Sequence, residues 1–428
     1  MPTFRIEGGH PLHGEVIPSG NKNAAVAILP ACLLTSEPVT IHNIPDIGDV
    51  RTLRQLLEGI GVEIDTLDEH SWRLQTPDLD IDQLDTDLCR VIRASILLAG
   101  PALGRVGRIN LPPPGGDVIG RRRIDTHLLS FQAMGAEAHF DGRRFQLTAP
   151  DGLHGAEILL DEASVTGTEN AIMAAVTAQG KTIIRNAASE PHVQDLCRFL
   201  VGLGAKIDNI GSNTLHITGV DKLSGGEFTI GPDYLEVVSF IGAAVVTGGE
   251  IRIRNAGVEH LDMIRFVLGR LGFIFQTDGD DIIVPKEQPL VIEPDVGGKI
   301  PKVFVMPWPA FPTDLVSIAI VMASQSNGTV LFHDWMYEGR MYFTDKLGSM
   351  GARIILCDPH RCIVVGPSDL ISETLESPDI RAGLALVLAA LAANGVSTIR
   401  NIGQIERGYE RIHEKLRQLG AKIERLEE

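Results

Sequence analysis

The segment LPPPGGDVIGRRR, from Leu111 to Arg123, is the part of the chain whose residue types best suit chemistry on an anion. It ends in three consecutive arginines, whereas the chain as a whole carries a net charge of −17. Any phosphate or carboxylate site must therefore concentrate Lys and Arg side chains against an adverse field. A loop rich in Pro, Gly and Arg that interrupts a repeated scaffold is a place where function is expected. The alternative is a tolerated surface insertion with a solvated basic run.

Arg340 and His127 are further candidates, because each stands where a repeated pattern elsewhere in the chain places an apolar side chain. Burying an unpaired charge is costly, so Arg340 is expected at a helix end, facing an anionic group. For His127 two interpretations stay open. It serves the neighbouring loop, or it is a buried histidine whose ring nitrogens are satisfied.

The elements that position these residues follow from an internal repeat. Six segments end in a similar way, at Gly61, Gly135, Gly204, Gly272, Gly351 and Gly420. Before the first of these glycines, Val50, Leu53, Leu57 and Ile60 follow one another in steps of 3, 4 and 3 residues. This spacing predicts a helix with one apolar face, ended by a left-handed glycine and followed by a strand. A strand that ends near an asparagine, as in TIIRN, is predicted before the helix.

Six similar units suggest two domains of three units each, with helices inside and sheets outside or a related α/β arrangement. The length of 428 residues agrees with two or three domains. The unit that contains the LPPPGGDVIGRRR segment has a longer connection between its strand and its helix than the other units have. The extra residues therefore form a loop on an otherwise regular scaffold.

Composition excludes several classes of protein. The acidic balance argues against nucleic acid as the main partner, since phosphate backbones require a basic footprint. The five cysteines lack zinc-type spacing, apart from the weak pair Cys357 and Cys362, and fit reduced thiols in the cytoplasm. The sequence has neither an apolar leader segment nor an apolar run of about 18 residues, so we expect neither secretion nor membrane insertion. No cluster has metal-ligand spacing, and we expect no metal and no cofactor.

Seven motifs, spread over essentially the whole chain, resemble one family in their order and content. They are SGNKNAAVAIL at 19–29, RASILLAGP at 93–101, PGGDVIGRRRIDTH at 114–127, PAFPTD at 309–314, EGRM at 338–341, DIRAGLALVLAA at 379–390 and ERGYERIHEKLRQLGA at 406–421. Each alone is weak, but the seven together are specific. The chain resembles the UDP-N-acetylglucosamine 1-carboxyvinyltransferases, enolpyruvyl transferases of bacterial peptidoglycan synthesis.

This resemblance implies an α/β fold of two similar domains, each built from three βαβαββ repeats around buried helices, in an inside-out barrel arrangement. One domain is expected at 22–231, carrying a mobile loop with Asp117. The other is expected to combine 1–21 with 232–428. The active site is expected in the cleft between the domains, which closes around substrates. Neither the resemblance nor the sequence predicts an oligomeric state.

The resemblance also implies which residues hold phosphoenolpyruvate, a three-carbon substrate with a phosphate and a carboxylate. Arginine forks suit both groups. The expected phosphate contacts are Lys22, Arg122 and Arg407, with Arg93 as a support, and the expected carboxylate contacts are Arg340 and Arg381. For any single arginine the alternative is a surface ion pair.

Two aspartates are expected to move protons in the reaction that the resemblance implies. Asp314 would act as the base at the sugar hydroxyl, with a helix N-cap as the alternative. Asp117 would act as the general acid, with a turn aspartate as the alternative. Most of the family carries a reactive cysteine at the position of Asp117. A carboxylic acid still donates a proton where its surroundings favour the neutral form, whereas the epoxide fosfomycin requires the softer thiolate.

For the UDP-sugar, the resemblance implies contacts from Asn23, Arg93, Arg122, Arg123, Ile124, Asp125, Thr126, Ser164, Val165, Thr166 and Met336. Family members often have other residues at Gly48, Arg123, Thr126 and Thr166, which leaves the acceptor open. Arg123 adds a phosphate contact or is solvated, and His127 either serves the nucleotide site or is a satisfied core residue. Two other functions also stay open: a 5-enolpyruvylshikimate-3-phosphate synthase, and a non-catalytic paralogue that binds UDP-sugars and regulates cell-wall synthesis.

Overall fold

The computed structural model of the chain describes residues 2–117 and 119–427. In this part of the chain the residues divide into two compact units. The first unit comprises Gly20–Asp117 and Arg122–Gly231, and the second comprises residues 2–19, 119–121 and 232–427. The chain passes between the units after Ser19 and after Gly231, and residues 119–121 belong to the second unit although Asp117 and Arg122 belong to the first.

The first unit is a mixture of short helices and strands. Its helices are Lys22–Ala31, Gly48–Gly59, Thr86–Cys89, Ala99–Val106, Asp125–Ala133, Val165–Ala175 and Pro191–Gly202, with 3-10 turns at Cys32–Leu34, Ile81–Gln83 and Arg93–Leu98. Its strands are Val39–His42, Glu63–Asp68, Ser71–Gln75, Arg108–Leu111, Glu137–Phe140, Phe145–Thr148, Glu157–Leu159, Lys181–Arg185, Lys206–Asp208, Thr214–Thr218 and Gly226–Thr229.

The second unit is also a mixture of short helices and strands. Its helices are Tyr234–Val246, Asp262–Arg270, Val316–Ala323, Thr344–Ser349, Ile380–Ala392, Gly403–Glu406 and Ile412–Gln418, with 3-10 turns at Val258–His260 and Thr313–Leu315. Its strands are Thr3–Glu7, His13–Val16, Glu250–Ile253, Gln276–Asp278, Asp281–Val284, Lys302–Phe304, Gly328–His333, Arg353–Asp358, Arg361–Gly366, Thr374–Glu376, Val396–Arg400 and Lys422–Leu426.

The internal repeat predicted from the sequence is confirmed. The glycines that end the six helices all have positive φ, from 90° at Gly272 to 100° at Gly204. A strand follows each of them, and the apolar face of the first repeat, from Val50 to Ile60, is fully buried. Because a side chain at a left-handed position is strained, glycine is the residue that lets the chain leave the helix and enter the strand. The asparagines that end the preceding strands, such as Asn186 with φ 59°, adopt the same conformation.

The centre of each unit is formed by helices that are apolar on all sides. In the second unit, the helices Tyr234–Val246, Val316–Ala323 and Ile380–Ala392 pack against one another, and nearly all of their side chains are buried. A helix without a polar face must be enclosed by other elements. In the first unit the helices Lys22–Ala31 and Val165–Ala175 and the segment 93–106 take the same role.

The sheets cover these helices, and each contains at least one antiparallel pair. In the sheet that holds the N-terminal strand, Thr3–Glu7 pairs antiparallel with Val396–Arg400 and Lys422–Leu426, while Thr374–Glu376 joins in parallel. Among the described residues there are five four-stranded sheets and one three-stranded sheet, and none of them closes into a barrel. The predicted two-domain α/β class is therefore confirmed, with open sheets outside and helices inside. No helix in the described part of the chain is long and apolar enough to cross a membrane.

Candidate active site

In the second unit, Asp314, Arg340 and Arg381 meet, although they are far apart in sequence. Arg340 Nη2 donates to Asp314 Oδ1 at 2.8 Å, and Arg381 Nε lies 3.5 Å from Asp314 Oδ2. Asp314 lies in the 3-10 turn Thr313–Leu315, and Arg381 lies in the first turn of the helix Ile380–Ala392. The N-cap of this turn is Pro312, and the N-cap of the following helix, Val316–Ala323, is Leu315. Asp314 therefore does not occupy an N-cap position.

Both arginines are almost fully withdrawn from solvent, with 2% exposure for Arg340 and 4% for Arg381. Burial acts to lower the pKa of Arg340, but the carboxylates of Asp314 and Asp379 outweigh it and raise that pKa. For Arg381 burial is again the largest influence, and Tyr409 and Asp314 outweigh it, so its pKa is also raised. Both side chains are therefore permanent cations. This agrees with the expectation that Arg340 faces an anionic group, but Arg340 lies in a turn four residues before the helix Thr344–Ser349 and not at a helix end.

Part of the donor capacity of these two cations is unused. Among the described residues, Arg340 Nε and Arg381 Nη1 have no hydrogen-bond acceptor. A buried donor without an acceptor costs about 1–3 kcal/mol, and such groups in native proteins call for an explanation. The Asp314 carboxylate is 28% exposed, so the cluster is reachable from solvent. An anion that reached these two donors, such as a carboxylate, would supply the acceptors that the described residues do not.

The sequence did not identify the residues that hold the two arginines in place. Tyr337 lies under the guanidinium of Arg340 at 5.4 Å, and Tyr409 lies under that of Arg381 at 5.2 Å. Asp379 accepts from the backbone N–H groups of Arg381 and Ala382 and so caps the helix. A signal for Asp379 existed, since an aspartate directly before an apolar run is a helix N-cap pattern. Tyr409 stands eleven residues before Gly420, as Val50 stands before Gly61 in the first repeat, and it is buried.

Met336 and Arg407 occupy neighbouring segments of the same unit. Met336 is partly buried against the apolar core, and its N–H donates to the Asp334 carboxylate at 2.9 Å. Arg407 directly follows the helix Gly403–Glu406, which packs against the helix that carries Arg381, and it donates to Gln404 Oε1 at 2.9 Å. The predicted roles of Met336 and Arg407 stay predictions.

Residues 119–121 of the PGGDVIGRRR loop group with the second unit and lie against the turn that carries Arg340. The N–H of Arg121 donates to Glu338 Oε2 at 3.1 Å, and the N–H of Gly339 donates to the carbonyl of Ile119 at 2.8 Å. Gly120 has φ +132°, and a methyl group there would collide with the Glu338 carboxylate. The close approach of backbone to side chain therefore requires glycine at this position.

In the first unit, Lys22 stands at the start of the helix Lys22–Ala31, whose N-cap is Asn21. Lys22 Nζ lies 3.1 Å from Asp49 Oδ2, and both side chains are largely buried, at 13% and 6% exposure. Asp49 follows Gly48, where the family often has a lysine, and its role could not be predicted from sequence. Asn23 is the next residue of the helix and is partly buried. A helix N-terminus with a neighbouring lysine favours an anion.

The base of the PGGDVIGRRR loop lies against two of the predicted phosphate ligands. The position that a Cβ on Gly116 would take is 2.9 Å from Arg93 Cβ and 3.3 Å from Arg122 Nη1. Arg93 Nη2 donates to the carbonyl of Arg123 at 2.8 Å and so joins the two ends of the loop. Asp117, the residue after Gly116, is partly buried.

A second group in the first unit contains three of the residues predicted for the nucleotide, Arg123, Asp125 and Thr126. Arg123 Nη2 lies 2.9 Å from Asp161 Oδ2, and Thr126 Oγ1 donates to Asp161 Oδ1 at 2.7 Å. Arg123 Nε also donates to Asp125 at 3.2 Å. Arg123 is thus paired with carboxylates while its side chain is 38% exposed, and both interpretations of its role stay open. Asp161 was not identified from the sequence.

His127 and Thr166 lie beside this group. His127 is fully buried, and its ring nitrogens lie 2.8 Å from Asn170 Nδ2 and 3.2 Å from Thr166 Oγ1. Burial, with a smaller effect of Arg93, lowers the pKa of His127 to about 3. His127 is therefore a neutral, satisfied core residue, as one of the two interpretations held.

Ser164 caps the helix Val165–Ala175, because its Oγ accepts from the N–H of Gly167 at 3.2 Å. A Cβ on Gly167 would stand 3.0 Å from the methyl group of Thr126, so the start of this helix lies directly against the segment 124–126. The cap places Ser164, Val165 and Thr166 at a helix N-terminus, where backbone N–H groups favour an anion such as a phosphate.

Comparison with known proteins agrees with this fold. The model of the family described as EPSP synthase (3-phosphoshikimate 1-carboxyvinyltransferase) matches residues 6–416. Among solved structures, that of the enolpyruvyl transferase NikO from Streptomyces tendae is similar with a TM-score of 0.86 at 26% identity, covering 99% of this chain and 98% of that one. EPSP synthase from Acinetobacter baumannii has a TM-score of 0.74 at 16% identity over 100% of both chains, which shows the fold alone.

The chain belongs to this carboxyvinyltransferase family, and its fold is that of the enolpyruvyl transferases. Within it, a protein of Bradyrhizobium diazoefficiens named UDP-N-acetylglucosamine 1-carboxyvinyltransferase is 54% identical over 425 residues, 99% of this chain and 98% of the relative. A protein of Treponema denticola with the same name is 50% identical over 424 residues, 99% of each chain. The resemblance inferred from seven motifs is confirmed at the level of the family.

Proposed function

We propose that the chain transfers the enolpyruvyl group of phosphoenolpyruvate to the 3′-hydroxyl of UDP-N-acetylglucosamine, with release of phosphate. This is the first committed step of peptidoglycan synthesis. The observation that carries the proposal is the buried cluster of Asp314, Arg340 and Arg381, with two guanidinium N–H groups that lack an acceptor among the described residues. The relatives named for this activity, at about half identity over the full chain, support the choice of substrates.

The substrate carboxylate is assigned to Arg340 and Arg381. The unused donors are Nε of Arg340 and Nη1 of Arg381. Each would give the substrate one charge-assisted hydrogen bond, and such bonds are roughly twice as strong as neutral ones. The phosphate is assigned to Lys22, Arg122 and Arg407. Arg93, which bridges the ends of the loop through the carbonyl of Arg123, supports the phosphate ligands.

The chemistry is an addition followed by an elimination. As the sugar oxygen attacks C2 of phosphoenolpyruvate, Asp314 accepts the hydroxyl proton and Asp117 donates a proton to C3. In the second step C3 loses a proton, the double bond reforms, and the bond from C2 to the phosphate oxygen breaks. A positioned acid and base typically contribute about 10²–10⁴-fold each to such proton transfers.

Asp117 takes the place of the cysteine that most of the family carries in this loop. A carboxylic acid provides the same proton as a thiol, so the proposed reaction is retained. The alkylation of that residue by an epoxide is not retained, because it depends on a thiolate nucleophile. We therefore propose that the chain is an aspartate variant of the family that fosfomycin does not inactivate.

The UDP-sugar is assigned to the group around Asp161 and to the start of the helix Val165–Ala175. The residues proposed to contact it are Asn23, Arg93, Arg122, Arg123, Ile124, Asp125, Thr126, Ser164, Val165, Thr166 and Met336. Arg123 and Thr126 are held by the Asp161 carboxylate, which favours a fixed pocket wall. Arg123 and Thr126, which differ from the usual family pattern, therefore share Asp161 as a partner within the unit.

Residues of both units are needed for this reaction, since the proposed acid, Asp117, and the proposed base, Asp314, belong to different units. We propose domains at 22–231 and at 1–21 with 232–428, as the resemblance implies, with the site in their cleft. Since the proposed substrates are cytoplasmic metabolites, we place the protein in the cytoplasm.

The test is phosphate release by the purified chain with phosphoenolpyruvate and UDP-N-acetylglucosamine, together with mass detection of the enolpyruvyl sugar nucleotide. Shikimate 3-phosphate replaces the UDP-sugar in a parallel reaction. Asp314→Asn should abolish turnover, whereas Asp369→Asn, at an exposed aspartate of the same unit, should not. Release of phosphate with shikimate 3-phosphate, and not with the UDP-sugar, would replace the proposal by a different acceptor. Tight binding of the UDP-sugar without any release of phosphate would replace it by a non-catalytic binding role.

A further inference from the structure

Asp334 is a fully buried carboxylate that neither the sequence nor the proposed reaction assigns. It ends the strand Gly328–His333 and is 0% exposed. Its two oxygens bind two different segments. Oδ2 accepts the hydroxyl of Thr313 at 2.5 Å, and Oδ1 accepts the N–H of Met336 at 2.9 Å. Burying a carboxylate is costly unless such hydrogen bonds satisfy it.

The two segments that Asp334 joins are those that carry the ion pair of the proposed site. Thr313 is the residue directly before Asp314. Met336 begins the short turn that leads to Arg340, whose Nη2 donates to Asp314 at 2.8 Å. Asp334 also contributes to the raised pKa of Arg340. One side chain therefore fixes the spacing between the proposed base and a proposed carboxylate ligand.

The backbone of Asp334 is itself anchored on a hairpin. The N–H of Asp334 donates to the carbonyl of His360 at 2.8 Å, and His360 Nδ1 lies 2.8 Å from the carbonyl oxygen of Asp334. His360 lies in the turn between the strands Arg353–Asp358 and Arg361–Gly366. The carboxylate thus extends from a fixed point of the sheet, which gives it the rigidity that a positioning group requires.

We propose that Asp334 is a positioning residue for the reaction: through the Thr313 hydroxyl and the Met336 N–H it sets the place of Asp314 relative to Arg340. This inference rests on the proposed function. Asp334 itself touches no reacting atom. Its effect arises because a displacement of about 1 Å of a reacting group can cost on the order of 10²-fold in rate.

The test uses Thr313→Val, which removes the hydroxyl and keeps the size of the side chain, and Thr313→Ser, which keeps the hydroxyl. We expect Thr313→Val to lower kcat about 10–100-fold, with little change in the KM for phosphoenolpyruvate, because the ligands of that substrate are intact. Thr313→Ser should restore most of kcat. Asp334→Ala should lower kcat equally, and the double variant Thr313→Val with Asp334→Ala should lose no more than either single one.

Thermal unfolding of each variant, with kcat given per folded protein, separates positioning from stability. Should a variant fail to fold, Asp334→Asn keeps the shape and an acceptor for the Met336 N–H, and its kcat should exceed that of Thr313→Val. A kcat for Thr313→Val equal to that of the unaltered chain overturns the inference and leaves the proposed function in place. Losses that add in the double variant also overturn it. Absence of phosphate release by the unaltered chain overturns the proposed function, and the inference with it.

Discussion

Replacing Arg340 by lysine tests whether its guanidinium group holds the substrate carboxylate. The side chain is 2% exposed, and its Nη2 already donates to Asp314 at 2.8 Å. Its Nε has no acceptor among the residues described and is the donor that remains for a substrate. Lysine keeps the positive charge and a bond to Asp314, but its point charge cannot present a second donor in a fixed fork.

The expected loss is that of one charge-assisted hydrogen bond. Such a bond contributes about 1.5–3 kcal/mol, which corresponds to a decrease of about 10–150-fold in kcat/KM for phosphoenolpyruvate. The cluster itself should remain folded, because Asp314 keeps a cationic partner and is 28% exposed to solvent. The KM for the UDP-sugar should change little, since Arg340 is assigned to the other substrate.

The assay is steady-state phosphate release with each substrate varied in turn, alongside thermal unfolding. Arg361→Lys is the matched control, because Arg361 pairs with Asp358 on the surface of the same unit and is 52% exposed. A kcat/KM for phosphoenolpyruvate within about threefold of the unaltered chain would refute the assignment, since threefold is well below the loss of one such bond. An increase confined to the KM of the UDP-sugar would refute it equally.

Three further predictions concern other parts of the chain. Fosfomycin should not inactivate the protein with time, whereas Asp117→Cys should be inactivated with a covalent adduct visible by mass spectrometry; an adduct on the unaltered chain would contradict this. Burial raises the pKa of the Glu169 carboxyl well above its usual value of 4.5. Between pH 4.5 and the raised pKa the unfolded chain loses this proton and the folded chain keeps it, so the free energy of unfolding should fall as pH rises, on the order of 1 kcal/mol per pH unit. Urea unfolding of Glu169→Gln should lack this slope, and parallel slopes in both proteins would exclude Glu169 as its cause. Gly120→Ala should lower kcat/KM at least about tenfold, because its Cβ would collide with Glu338. Gly142→Ala should not, because Gly142 also has a positive φ, of +89°, but open space around it; equal effects would point to backbone strain alone.

The scaffold was predictable because its rules are local. A helix face that repeats in steps of 3, 4 and 3 residues, ended by a glycine, determines a helix, its exit and the following strand. The six glycines from Gly61 to Gly420 and the asparagines Asn43, Asn186, Asn255 and Asn401 adopt the left-handed conformation that this pattern requires. The same rules could not give the order of the strands in each sheet, which depends on contacts between distant repeats.

The candidate site was predictable only where a residue stands out in its own motif. Arg340 interrupts an apolar face, and the structure pairs it with a carboxylate, as expected. Nothing in their own motifs distinguishes Asp49, Asp161 and Asp334, since an aspartate in a loop is most simply interpreted as a turn residue or a helix cap. Their roles follow from partners more than 20 residues away in sequence, such as Thr313 for Asp334. Tertiary contacts decide these roles, and such contacts cannot be predicted from a single sequence by local patterns.

The charge balance of the chain and the chemistry of the site are connected. With a net charge of −17, a cluster of arginines left without counter-ions would attract any anion, and the fold instead pairs Arg340 and Arg381 with Asp314 and places Asp379 Oδ1 3.9 Å from Arg340 Nη1. In the proposed function, the substrate carboxylate takes the two donors that Asp314 does not use, Arg340 Nε and Arg381 Nη1. Asp314 therefore keeps its contacts with both arginines while the substrate binds beside it. The carboxylate that pairs with the two arginines is thus the one proposed to act as the base, so the proposed base lies next to the proposed position of the first substrate.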